Sequence, residues 1–92
     1  MKVKVRSFAQ FREVLGAEQI LMGEEGWSFR DLLETLAERT PIARDLLFEE
    51  DGSIHEYLIM MRNGRRVDHD DVSGTMLADG DEVALFPPVA GG

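Results

Sequence analysis

The 92-residue chain contains no cysteine, which excludes a disulfide framework, a thiolate nucleophile and any metal site built on thiolates. It has no apolar run near the roughly 20 residues a membrane span requires, and its N-terminus lacks the apolar core of a signal peptide. A cytoplasmic protein with no membrane partner is the expectation. Proline is scarce: of three, two stand together at positions 87 and 88. Phosphate-binding patterns of the G-x-x-x-x-G-K-[ST] and G-x-G-x-x-G kind are missing, as are a nucleophile elbow and the further oxygen ligands that would turn Asp51-Gly52 into a calcium loop. No internal repeat or low-complexity segment interrupts the chain. Catalysis by side chains therefore has little support.

What is present suits one folded domain. Hydrophobic residues make up 43% and charged residues 30%, ordinary for a globular chain. At this length folding buries only about 60–65% of the unfolded chain's surface, so a core forms more easily than a deep catalytic cleft. Ten basic residues against 18 acidic ones leave a net charge of −8. That sign disfavours nucleic acid, whose phosphates demand the opposite charge. It points either to basic protein surfaces as partners or simply to solubility.

Lys2 to Ser7 alternates charged and smaller residues with the period of a strand that has one wet face. Phe8, Phe11, Val14 and Leu15 recur at helical spacing before Gly16, predicting a short helix from about Ala9 to Leu15. Gln19 to Met22 reads as a second strand closed by Gly23 and Gly26, with Trp27 as a packed lid residue. Ser28 followed by Asp31 resembles a capping box. Phe29, Leu32, Leu33 and Leu36 then mark one apolar face of a helix that should end near Arg39, because Pro41 disfavours helical geometry at Thr40. Leu46-Leu47-Phe48, the turn-like 50–53 stretch and Tyr57 to Met61 suggest strand, loop, strand, with Met60 and Met61 as core filling. Asn63-Gly64 is a hairpin turn, since both residues tolerate positive φ, and leads to a short arm through Val67. After a polar stretch and the turn Asp79-Gly80-Asp81, Val83 to Phe86 reads as a strand deep in the sheet. Four to five strands packed by one main helix and a short one make an α+β sandwich over residues 1–92.

His69 among Asp68, Asp70 and Asp71 looks like a metal or acid–base cluster. Consecutive residues on an extended segment point to alternate sides, so a solvated acidic loop is the expectation and no metal site is assigned. His55 beside Glu56 reads as a surface residue.

Residues 87–92 form the most distinctive stretch. Pro87 cannot donate to a sheet ladder, so the last strand should stop there, and a proline pair favours a stiff, extended backbone. Gly91 and Gly92 have no Cβ and suit a passage too narrow for side chains. A carboxylate at Gly92 on such an arm is a potential reactant, although glycine-rich ends also arise from simple fraying. Phe86 at the arm's root is either a docking anchor, together with apolar residues of the 57–62 strand inside an acidic ring, or a core residue.

Asp81-Glu82-Val83-Ala84-Leu85-Phe86-Pro87-Pro88-Val89-Ala90-Gly91-Gly92 closely resembles the C-terminus of the molybdopterin synthase small subunit family (MoaD). Phe8-Ala9-Gln10-Phe11-Arg12-Glu13 resembles that family's first strand–helix junction. The wider group includes the sulfur carrier ThiS and archaeal ubiquitin-like modifiers. The resemblance implies a ubiquitin-like β-grasp fold with 87–92 as a flexible tail. It implies that an E1-like adenylating enzyme (MoeB-like), using ATP and magnesium, activates Gly92. Sulfur from a persulfide then leaves a thiocarboxylate used in molybdenum cofactor biosynthesis. By the same resemblance Gly91 belongs with Gly92 to the reacting end, Val89, Ala90, Pro88, Pro87 and Phe86 meet the partners, and the catalytic groups belong to the synthase large subunit (MoaE-like). The Gly52-Ser53 loop is similar to archaeal modifier sequences. The same resemblance therefore leaves open a ubiquitin-like modifier joined through Gly92 to protein lysines, and an inert tail on a simple binding module remains a third reading. Only Lys2 and Lys4 would be available for self-chaining.

Overall fold

Alternation in the first strand sets the layers. In β1 (Lys2–Ser7), Val3, Val5 and Ser7 are buried on one side while Lys2 and Arg6 are exposed on the other. The computed structural model describes residues 1–87. In it β1 is joined by α1 (Gln10–Leu15), β2 (Glu18–Met22), α2 (Phe29–Arg39), α3 (Pro41–Leu47), β3 (Ile59–Arg62), β4 (Arg65–Val67) and β5 (Glu82–Phe86). The strands form one mixed sheet in the order β2-β1-β5-β3-β4. β5 pairs parallel with β1 and antiparallel with β3, so the last strand lies at the centre, as its apolar run predicts.

The apolar stripe of α2 covers one sheet face: Phe29, Leu32, Leu33 and Leu36 are essentially inaccessible, as are Val3, Val5, Leu21, Met60, Val83 and Leu85 from the strands. The capping box forms reciprocally, Asp31 N–H donating to Ser28 Oγ at 3.1 Å and Ser28 N–H to Asp31 Oδ2 at 2.9 Å. The helix ends at Arg39 as expected. Met60 fills the core as read, whereas Met61 is half-buried on the opposite face. Trp27 packs as a lid against the core. A Cβ at Gly23 would stand 2.3 Å from its ring, so that position has room only for glycine.

Two expectations need correction. Leu46 and Leu47 are not strand; they end α3, and Phe48 makes only a single bridge to Ile54. Pro41 does stop α2, but it also opens α3 from within the first turn, where its missing N–H costs nothing. Ala43 and Leu47, four apart, are the buried residues of this added helix. Phe8 is the second correction. It precedes α1, whose N-cap Ala9 has φ 51°, and only Phe11 of the supposed helical stripe is fully buried.

Candidate functional site

The sheet face away from α2 is built by strand parity. One row crosses all five strands in register: Glu18, Arg6, Ala84, Met61 and Arg66. Beside it, toward the end of β5, Phe86 pairs with Ile59 and stacks on Phe8, with ring centroids 4.4 Å apart and planes 6° from parallel. The Arg6 guanidinium lies 5.5 Å above the Phe8 ring. On the other side of the row come Lys4 with Ile20 and Glu82, then Lys2 with Met22. None of these strand residues is buried; Ile20 and Met22 are 59% and 62% exposed.

Phe86 is therefore not a core residue. It is half-buried just before residues 87–92, beside Ile59 and Met61 of β3. The acidic ring expected around it is not what the strands carry. Lys2, Lys4, Arg6 and Arg66 stand on this face against only Glu18 and Glu82, and both carboxylates are paired, Lys4–Glu18 at 2.9 Å and Arg6–Glu82 at 3.3 Å. The Glu18 hydrogen bond and charge raise the Lys4 ammonium above its ordinary value, and Lys4 lowers Glu18 in return. Net charge read along the chain averages over the two sides of every strand, and so hides this segregation.

A second arrangement fixes the start of β5. Asp81 is 6% exposed and accepts from Arg62 Nε, Asn63 Nδ2 and Ala78 N–H at 2.9, 2.9 and 2.8 Å. Burial alone would push this carboxyl up. Hydrogen bonds from Asn63, Ala78 and Arg62 outweigh it and hold Asp81 below its ordinary value. Asn63 also accepts from Glu82 N–H at 2.9 Å, so the 63–64 hairpin and the 78–81 turn are stitched together where β5 begins. The sequence marks Asp81 only as a turn residue; its partners lie 18 and 19 positions away.

The acidic loop is only partly solvated. Asp68, Asp70 and Asp71 are exposed, but His69 is half-buried and its Nε2 stands 2.6 Å from the Leu58 carbonyl, which gives it a structural role. Among the described residues no group of three or more His, Cys, Asp or Glu side chains is placed to hold a metal ion. No helix among them is long and apolar enough to cross a membrane. A cleft of about 340 Å³ lies on the helical side, walled by α2, Arg44, Phe48 and Gly52, away from the end of β5.

β5 stops at Phe86, as Pro87 dictates, and Pro87 itself is buried. The remaining site assignments, Pro88, Val89, Ala90, Gly91 and Gly92, lie outside the described residues.

The chain matches the ThiS family over residues 5–92. It is 42% identical over 94 residues to small archaeal modifier protein 3 of Haloferax volcanii, covering all of both chains. Among solved structures it resembles the crystal structure of SAMP1 from Haloferax volcanii, with TM-score 0.87 and 30% identity over the full length of both. It also resembles a putative molybdopterin converting factor, subunit 1, from Pyrococcus furiosus, with TM-score 0.73 and 36% identity over 97% of this chain and 99% of that one. The fold is the ubiquitin-like β-grasp, its five strands within the four to five anticipated, with a helix where a strand was expected at Leu46-Leu47. With the family match spanning nearly every residue, the chain belongs to the ThiS family of small ubiquitin-like carriers and modifiers.

Proposed function

We propose that this protein is a cytoplasmic sulfur carrier, the small subunit of a molybdopterin synthase, and that its reacting group is the Gly92 carboxylate. An E1-like enzyme (MoeB-like) holding ATP and magnesium transfers AMP to that carboxylate and releases pyrophosphate. The outer sulfur of a persulfide then takes the acyl group as AMP departs, and a second thiol opens the acyl disulfide to leave the thiocarboxylate. The charged tail enters a large subunit (MoaE-like) that supplies the catalytic groups, so this chain is a reactant and not the enzyme. The observation that carries the reading is the family match running through Gly92, on a body whose central strand leads into the tail. Intact mass of protein taken from its native host tests it: a species with one oxygen exchanged for sulfur is expected, and its absence under molybdenum-cofactor demand overturns the reading.

A second reading shares the adenylate and differs in the acceptor. The 42%-identical relative is named a modifier protein, which supports transfer of the Gly92 acyl group to a protein lysine as an isopeptide bond. High-mass adducts that vanish when Gly91 and Gly92 are removed distinguish this outcome.

Both readings require the body to dock. Ordering Val89 to Gly92 costs roughly 4–8 kcal/mol at about 1–2 kcal/mol per residue, and four small side chains bury little area to offset it. Phe86 is the anchor that would contribute. Phe86→Ala is expected to weaken binding to the activating enzyme by at least about 2 kcal/mol, roughly thirtyfold. Its cost to the fold should be about 1–2 kcal/mol, because the ring lies outside the buried core cluster and loses mainly its stacking on Phe8. Unchanged affinity with an intact fold, read by calorimetric titration and thermal melting, removes the anchor role.

A further inference from the structure

Arg62 and Arg65 stand directly opposite one another across the β3–β4 hairpin, with the parity of the buried Met60–Val67 pair, so both face the side of the sheet that α2 covers. Like charges in opposing positions repel. Asp81 takes Arg62 Nε at 2.9 Å, but among the described residues Arg65 makes no ion pair. A cleft of about 390 Å³ opens here, walled by Arg62, Asn63, Arg65, Arg66, Val67 and Thr75. No carboxylate lines it, whereas Glu34 and Glu38 line the cleft beside α2, and the clefts around residues 49–56 are rich in carboxylates. Asn63 N–H donates to Glu82 O at 2.8 Å, so alternation along β3 turns the Arg62 main chain toward Arg65 on β4. Arg66, the next residue, therefore aims its N–H at the free edge of the sheet, while its side chain lies on the opposite face.

We propose that this cleft binds a sugar phosphate, its phosphoryl group held between the Arg62 and Arg65 guanidinium groups with the Arg66 N–H as a further donor. Asp81 occupies Arg62 Nε, which leaves the two terminal nitrogens for an oxyanion and fixes the direction of the fork. Arg65 supplies the second fork, and a bound anion relieves its repulsion with Arg62. Three arginines less the one Asp81 carboxylate leave two positive charges. A phosphate monoester of about −1.5 to −2 matches that balance, and a single carboxylate does not. The cleft is at the small end of small-molecule sites, yet roomier than a phosphate needs. Val67 is the one apolar residue in its wall, so a hydroxyl-bearing body suits it better than a base or an alkyl chain. Thr75 Oγ1 donates to Asp71 O at 2.7 Å and keeps its lone pairs for a sugar hydroxyl. The site lies where β5 begins, at the opposite end of that strand from Phe86, and is independent of the tail chemistry.

Titration of the isotope-labelled full chain with ribose 5-phosphate at low salt tests the site. Amide shifts should concentrate at Arg62, Arg65, Arg66 and Thr75 and saturate with a dissociation constant of about 1 mM or tighter. Arg65→Gln, with its fold confirmed by thermal melting, should weaken binding at least about tenfold. Arg65→Lys keeps the charge, loses the fork and should fall in between. Arg66→Gln keeps the main-chain donor and should weaken binding less than about threefold, because its side chain lies on the other face. Inorganic phosphate should shift the same amides at least about threefold more weakly, and ribose alone should shift none. Shifts that do not saturate by about 20 mM, or that spread over arginines elsewhere on the chain, overturn the inference. Equal losses in Arg65→Gln and Arg66→Gln overturn it too, because diffuse charge would then explain the binding. Inorganic phosphate binding as tightly as ribose 5-phosphate overturns the assignment to a sugar phosphate.

Discussion

Truncation after Ala90 should reduce adenylation by the E1-like enzyme to background, the largest functional effect expected from any change to this chain. The shortened chain still ends in a carboxylate, so chemical type is preserved and only reach is lost. Two extended residues span about 7 Å, whereas attack on the α-phosphorus requires the reacting atoms within about 3–3.5 Å. Gly92→Ala separates reach from width. It keeps the carboxylate in place and adds one Cβ, so a partial loss is expected if the partner's passage is narrow, and full activity if it is wide. Folding should be indifferent to both changes, because the buried apolar core runs from Val3 to Leu85; melting temperature should stay within about 3 °C. Pyrophosphate release and thermal melting, measured on the same preparations, check the pair. Adenylation of the truncated chain at the wild-type rate would place the reacting group elsewhere.

Much of the scaffold that presents the tail was legible because its signals are local. Ser28 and Asp31 cap α2 within one turn. Asn63 and Gly64 take φ of 50° and 82°, the two positive values that a tight hairpin turn demands. What was not legible depends on residues far apart or on which side of a strand they face. Pro41 acts twice, ending one helix and opening the next, and propensity alone registers only the first role. Phe8 fits a helical spacing with Phe11, yet it finishes on the open face because Phe86, 78 positions later, offers it a ring to stack on. The positive face escaped a reading of net charge for the same reason. Arg6 and Arg66 become neighbours of one patch only once the register of four strands is known.

Asp81 is the clearest case of a residue whose importance is wholly tertiary, and its replacement should strongly destabilise the fold. Asp81→Ala removes the acceptor for three donors. It leaves the Ala78 N–H and the Asn63 Nδ2 donor without their Asp81 acceptor and the Arg62 guanidinium, itself about a third exposed, without its counter-charge. At about 1 kcal/mol or more per bond, higher for the charged one, the loss should be about 3–4 kcal/mol. Asp81→Asn keeps the shape and one acceptor oxygen, and should cost roughly half as much. The folded-state pKa of Asp81 lies below its ordinary value of 3.8, so the unfolded chain takes up this proton first as pH falls. The carboxylate's contribution is complete above that ordinary value and drains away as pH drops from there through the lower folded value. The difference in unfolding free energy between wild type and Asp81→Asn should therefore be constant near neutrality and shrink only on the acid side. Urea unfolding of both proteins at a series of pH values reads this directly. A difference that stays flat through the acid range would mean that the interactions of Asp81 do not depend on its charge. The clamp at the start of β5 would then be one of shape alone.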